Sequence, residues 1–341
     1  MVSLDDVQSS NSRIASTLPP GLVAVFVGGT GGIGEFTLKQ FAKHVRQPRV
    51  YFVGRTQKAG ERVAAECKAL NVEGEFIFVK ADTSLLRTVD DVCRDIKRKE
   101  KAVNLLFLTT GTMVLKTETP EGLHLAAALP HYSRARFIVN LLPLLQHGTS
   151  LRRVVTVFTG GKEGPIDVTD LQGWKLSMMY SRGHLSSMVT LSLEMLARKA
   201  PDVAFIHSFP GSVKTNLANN TTGLMWTLAK AVSKLLGPLI YIPAQECGER
   251  QLFLATSAKY PAGESAGRDA SSGVPLAGGV SVARGNSGED GSGVYSTRSD
   301  GGSAGPKVEE LLAQLRKEGV LEKVWEHTEG EFVRITGLGA V

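Results

Sequence analysis

The sequence predicts one α/β domain built on a doubly wound parallel sheet, and three observations carry that prediction. Six short apolar runs alternate with segments of helical periodicity along the first two thirds of the chain. A glycine-rich corner directly follows the first run. Hydrophobic residues make up 42% of the 341 positions, enough for a sheet covered on both faces.

Residues 22–28 (LVAVFVG) are nearly all apolar, the pattern of a strand buried on both faces. Behind them Ile33, Phe36, Phe41 and Val45 recur at helical spacing up to Arg46. Residues 50–54 and 58–70 read as the second strand and helix, and 76–80 as the third strand. Leu86, Val89, Val92 and Ile96 mark a helix over 85–99. Residues 103–109 are the fourth strand, and a long helical stretch over 121–146 is broken near Pro130. The fifth strand (154–158), a helix (181–198) and the sixth strand (203–208) follow. Strands that alternate with helices in this way form a parallel sheet, with right-handed crossovers placing helices on both faces.

Beyond residue 208 the pattern is less regular. Residues 222–236 suit an amphipathic helix over a pocket, and 243–256 another helix. The stretch 262–303 is dense in Gly, Ser and Ala, and 263–290 is expected to be a disordered surface insertion in a single domain spanning 21–341. Within that stretch 292–296 (SGVYS) could add a short edge strand, and a final helix covers 308–325. Residues 1–20 form a polar N-terminal segment without the apolar core of a signal peptide.

Net charge is +6, yet no basic stripe with interleaved aromatics occurs, which argues against nucleic-acid binding. The most apolar segment, 224–242, is interrupted by Lys230 and Lys234, so no transmembrane span is expected. Cys67, Cys93 and Cys247 lack metal or redox spacing and read as reduced, partly buried thiols. No metal site is expected, and the cytoplasm is the expected location.

The corner Gly28-Gly29-Thr30-Gly31-Gly32-Ile33-Gly34 contains GxGxxG at Gly29, Gly31 and Gly34. Glycines allow the tight turn and bring backbone N–H groups against a diphosphate, while the helix opening near Ile33 adds its positive end. A strand before it and a helix after it are the context a Rossmann-like dinucleotide site requires. About 20 residues on, where an NAD site has an acid, stands Arg55, a fork suited to a 2′-phosphate. The expected cofactor is therefore NADP(H).

These pieces, with GRT at 54–56, AD at 81–82, TTG at 109–111, FPGSVKT at 209–215 and VWEHT at 324–328, resemble the short-chain dehydrogenase/reductase family in its retinol-dehydrogenase-like branch. In wording and order they are most similar to fungal members of secondary-metabolite pathways. The resemblance implies that Asp82 contacts the adenine, that Gly111 lies beside the cofactor ribose, and that Val213 and Thr215 bond the nicotinamide carboxamide.

The family's chemistry uses a tyrosine as general acid, a serine to orient the carbonyl, a lysine on the ribose and an asparagine in a proton relay. A tyrosine of pKa about 10 needs a nearby cation to work near neutrality. By resemblance Tyr180 is that tyrosine. His184, 26 residues before Pro210, stands in the lysine position, and Thr159 stands in the serine position. The asparagine is replaced near Pro130, with Tyr132 a conceivable substitute donor. A mostly neutral histidine lowers a tyrosine pKa less than an ammonium does.

Two functions fit. One is an NADP(H)-dependent oxidoreductase interconverting a carbonyl and an alcohol on a medium-sized apolar small-molecule substrate, in secondary-metabolite biosynthesis. The other is a catalytically eroded NADP-binding sensor or accessory protein. Pairing of the long fourth and fifth helices would make a homo-oligomer.

Overall fold

The computed structural model describes residues 2–215, 241–263 and 273–341. Its sheet has seven parallel strands in the order β3-β2-β1-β4-β5-β6-β7. They are β1 (Val23–Val27), β2 (Arg49–Gly54), β3 (Glu75–Lys80), β4 (Leu105–Leu108), β5 (Arg153–Val157), β6 (Ala204–Ser208) and β7 (Val294–Thr297). The chain winds outward from β1 to β3, then returns past β1 to β4 and continues to the other edge. That reversal opens a crevice beyond the carboxyl ends of β1 and β4, where doubly wound sheets bind ligands.

Successive strand residues feed opposite faces of the sheet. On one side Phe26, Phe52 and Phe107 pack with Phe41 and Leu252, and Phe26 lies 5.2 Å from Phe107 and 5.7 Å from Phe41 between ring centres. On the other, Val25, Tyr51 and Leu106 pack with Phe137, Leu141 and Val189. Each fully buried Phe or Leu contributes about 2–3 kcal/mol by leaving water.

The helices come where the periodicity places them: α3 (Gly32–His44), α4 (Gln57–Leu70), α5 (Leu86–Lys99), α6 (Ser133–Gln146), α7 (Met178–Lys199) and α8 (Ala244–Thr256). The break expected near Pro130 is a π-helical turn, Ala128–Tyr132, that leads into α6. Proline lacks the N–H that a regular turn would use, and the wider turn accommodates it. The segment 222–236 lies outside the described residues, as does nearly all of the apolar stretch after it.

Four features differ from the sequence reading. First, the N-terminal segment is no appendage: α1 (Leu4–Ser12) and α2 (Ile14–Thr17) bury Val7 and Ile14 in the core. Asn11 Nδ2 donates to Glu249 Oε2 of α8 at 2.6 Å. Alternating small polar residues hid this helix, because only one narrow stripe of it is apolar.

Second, the described part of the stretch expected to be disordered, 273–290, is packed. Val274 and Ala283 are buried, Val274 N donates to Thr256 O (2.7 Å), and Asn286 Oδ1 accepts from Ser296 N (2.7 Å). Backbone hydrogen bonds to neighbouring segments, rather than a hydrophobic face, hold it in place, so composition misled. The edge strand at 292–296 is present as β7, two residues later than expected.

Third, the final helix is two helices, α9 (Pro306–Lys317) and α10 (Val320–Thr336). They are parted by Gly319 at φ +68°, a left-handed stop that glycine adopts without strain.

Fourth, the long helices α6 and α7 are packed against the C-terminal segment, a contact the sequence reading did not anticipate. Val324 of α10 packs with Met188 and Leu191 of α7, and Arg136 of α6 donates to Leu338 O and Gly339 O. Lys199 Nζ lies 4.5 Å over the Trp325 ring. The C-terminal helix thus packs over part of both helices. Cys67, Cys93 and Cys247 are free and buried as expected, and burial pushes the Cys67 and Cys247 thiols up to about 12. Among the described residues no helix is long and apolar enough to cross a membrane.

Candidate active site

Backbone builds the first wall of the crevice. Gly28 (φ +91°) and Gly32 (φ +58°) take conformations that other residues resist. A Cβ on Gly34 would lie 2.4 Å from Gly28 O, and one on Gly28 would lie 2.5 Å from Thr109 Oγ1. These glycines let β1, the start of α3 and the end of β4 meet. Gly31 caps α3 with no side-chain hydrogen bond, and among the described residues nothing lies within 4 Å of where its Cβ would be. The first N–H groups of α3 are thus left to solvent or an anion on an unobstructed side. Ile33 points the other way, packed against the core. Thr30 sits over Gly54 at the end of β2. This cradle fits a dinucleotide diphosphate.

Arg55 is exposed just beyond β2, and Lys80 ends β3 in register with Gly54. No acid occupies the first turn of α4. Asp82 is exposed, and its Oδ1 accepts from Ser84 N (3.0 Å) and Ser84 Oγ (2.8 Å). Gly111, after β4, also has nothing within 4 Å of a Cβ position. Val213 bridges Ile242, and Thr215 packs within about 3.2 Å of the Gly32 Cβ position, which brings the turn after β6 onto the glycine corner.

Side chains build the second wall. Thr159 follows β5, is 7% exposed, and its Oγ1 has no hydrogen-bond partner among the described residues. Its backbone is tied: Thr159 N donates to His207 Nε2 (3.2 Å), and Thr159 O accepts from Ser186 Oγ (2.8 Å). Behind it, Arg134 Nη1 donates to Thr156 Oγ1 (2.6 Å) and Val157 O (3.0 Å), and its Nη2 donates to Thr110 O (2.5 Å). This arginine clips the ends of β4 and β5 together, and burial lowers its pKa to about 9.

Tyr180 lies in the first turn of α7 and is 70% exposed. That turn is drawn to the crevice by two contacts. Gly164 N donates to Gly183 O (3.0 Å), an approach that a Cβ on either glycine would crowd, and the Arg182 guanidinium lies 5.3 Å over Phe209.

His184 does not have the expected role. It is 1% exposed, its Nδ1 accepts from Asp167 N (3.2 Å), and its Nε2 donates to Leu171 O (3.0 Å). Burial holds its pKa below the ordinary value, against the Leu171 hydrogen bond, so the ring is neutral near pH 7. With both nitrogens engaged on the 167–171 loop, neither is left for a ribose. Tyr132 is not a substitute donor either: it is buried, and its hydroxyl donates to His327 Nε2 on α10 at 2.7 Å.

The sequence reading missed Arg134, Glu163, Thr190, His207 and Ser296. A histidine inside the apolar run FIHS, and an acid in the turn after β5, were the available signals.

Comparison with known proteins agrees with this architecture. The family description "short chain dehydrogenase" matches residues 22–130. Oxidoreductase AN1596 of Emericella nidulans is 40% identical over 96% of this chain and 97% of its own length. Short-chain dehydrogenase/reductase SAT2 of Stachybotrys chartarum is 30% identical, covering 91% of this chain and 92% of its own. Among solved structures, the Pseudomonas aeruginosa RhlG/NADP active-site complex superposes with a TM-score of 0.52 at 18% identity, over 78% of this chain and 98% of that one. The chain belongs to the short-chain dehydrogenase/reductase family.

Proposed function

We propose that the protein is an NADP(H)-dependent oxidoreductase interconverting a carbonyl and an alcohol on a medium-sized apolar metabolite. The observation that carries this reading is Thr159 Oγ1, buried and unpartnered at the carboxyl end of β5, beside a cradle fitted to a dinucleotide. A buried hydroxyl without a partner costs about 1–3 kcal/mol, which a ligand oxygen would relieve.

Gly28, Thr30, Gly31, Gly32, Ile33 and Gly34 would form the diphosphate corner. Arg55, with Lys80 nearby, would receive the 2′-phosphate, while Asp82, Gly111, Val213 and Thr215 would flank the adenine, ribose and carboxamide. The bound cofactor supplies or accepts the hydride. Thr159 orients the substrate oxygen, and Tyr180 exchanges the proton with it. With both ring nitrogens engaged on the 167–171 loop, His184 is not assigned to the ribose in this reading. The fungal oxidoreductases among its relatives and the NADP of the solved neighbour favour the same reading.

The test is NADPH oxidation across a panel of apolar ketones and aldehydes, for the wild type, Thr159→Val and Tyr180→Phe. Turnover lost in both variants with NADPH still bound supports the reading. Tight NADPH binding with no turnover by any form would favour the cofactor-sensing alternative, and equal turnover by all three would rule out the assigned roles.

A further inference from the structure

We propose that Glu163 is a positioning residue for Thr159, acting through two hydrogen-bonded arms that close on its buried carboxylate. The inference rests on the reading of Thr159 as the orienting hydroxyl. One arm runs from Thr159 N–H to His207 Nε2 (3.2 Å), between His207 Nδ1 and Thr190 Oγ1 (2.8 Å), and from Thr190 Oγ1 to Glu163 Oε1 (2.8 Å). The other runs from Gly161 N–H to Ser296 Oγ (2.8 Å), whose hydroxyl donates to the same Oε1.

The donors fix the direction of every link. His207 Nε2 accepts from the Thr159 amide, so the neutral ring carries its proton on Nδ1 and donates it to Thr190. Thr190 then has its own proton for Glu163, and the carboxylate receives hydrogen bonds only as an acceptor. The side chains of Glu163 and His207 are both fully buried. Burial raises the Glu163 pKa, but the hydrogen bonds it accepts hold it below the ordinary carboxylate value.

The turn is closely seated as well. A Cβ on Gly160 would lie 2.1 Å from His207 O, and Phe158 stacks on the His207 ring at 9°. Glu163 Oε2 has no partner, and such a half-satisfied buried charge does not favour stability. Its use is specification of the turn: both ends of 159–161 are tied to one carboxylate, and Thr159 Oγ1 is left unpaired at the crevice. The arms also give β7 a purpose, since Ser296 reaches the site from the strand that follows the Gly/Ser-rich stretch.

The experiment compares Glu163→Leu, Glu163→Gln and Thr190→Val by NADPH calorimetry, carbonyl-reduction kinetics and ¹H–¹⁵N spectra of His207. The wild type should show the Nδ1–H tautomer, and in Glu163→Leu and Thr190→Val the His207 ring ¹⁵N resonances should shift as the arm beyond Nδ1 is broken. kcat should fall roughly 10- to 100-fold in both, as for a small misplacement of a reacting group, with NADPH affinity held. Glu163→Gln keeps an oxygen acceptor and should lose less. Thr190→Val is nearly isosteric and serves if Glu163→Leu does not fold. An Nε2–H tautomer in the wild type, or unchanged kcat in Thr190→Val, overturns the proposal. If the wild type reduces no carbonyl, the orienting role of Thr159 falls, and the spectra alone decide the relay: His207 ring resonances that shift in Glu163→Leu uphold it, and resonances that do not shift overturn it.

Discussion

The two walls of the crevice are made of different material. At β1 and α3 the site is backbone: glycines, amides and a helix end. At β5, β6, α7 and β7 it is side chain: Thr159, His207, Thr190, Glu163 and Ser296, joined across up to 133 residues of sequence. A backbone-built wall depends on the absence of atoms and fails abruptly when a Cβ is added. A side-chain wall depends on the completeness of a network and degrades by steps.

The sharpest way to break this contrast is Gly34→Ala. With a Cβ placed 2.4 Å from Gly28 O, the corner must open, and NADPH affinity should fall more than about 100-fold by calorimetry, as well-oriented contacts to the diphosphate are lost together. Retained affinity would show that the corner has slack. Next comes Thr159→Val, for which kcat should drop roughly 100-fold, the scale of one lost oxyanion-type donor. NADPH affinity should stay within about 3-fold of wild type, a difference below roughly 1 kcal/mol. A smaller effect is expected at Arg55→Ala: the preference for NADPH over NADH should shrink about 10-fold, the worth of one charge-assisted hydrogen bond.

His184→Leu separates the two walls further. Both ring nitrogens serve the 167–171 loop, so urea unfolding should show a loss of about 1–3 kcal/mol from the unpaired backbone groups. NADPH affinity should not move, whereas a fall of 10-fold or more would return His184 to the ribose. Finally, pH acts mainly on the side-chain wall and the helices behind it. Burial lowers the His131 pKa to about 3 from an ordinary 6.5, and His184 and His327 are lowered in the same direction by burial. A folded pKa below the unfolded one means the unfolded chain binds more protons, so this stability is present above about pH 6.5 and is lost as pH falls toward 3. Urea midpoints over that range should fall, and His131→Asn should flatten the dependence.

The same contrast explains what could be read in advance. All six expected strands and the glycine corner were legible, because apolar runs and glycine spacing are local signals. The cover by α10, the packing of 273–290 and the docking of α1 were not, since each depends on partners remote in sequence. At the site, alignment to a family pattern gives Thr159 and Tyr180 only as positions, and their roles are proposals. His184 was misread, because the same pattern gives a position and not the direction of a ring. Glu163 and His207 were invisible for the reason that makes them interesting: neither has a motif, and only the fold brings them to Thr159.

The central claim is that the crevice holds NADP(H) through the glycine corner and Arg55. Calorimetric titration of the purified protein with NADPH and with NADH tests it most directly. Saturable NADPH binding at least about 10-fold tighter than NADH binding, the worth of one phosphate contact, is the expected result. No heat and no saturation with either nucleotide would contradict it.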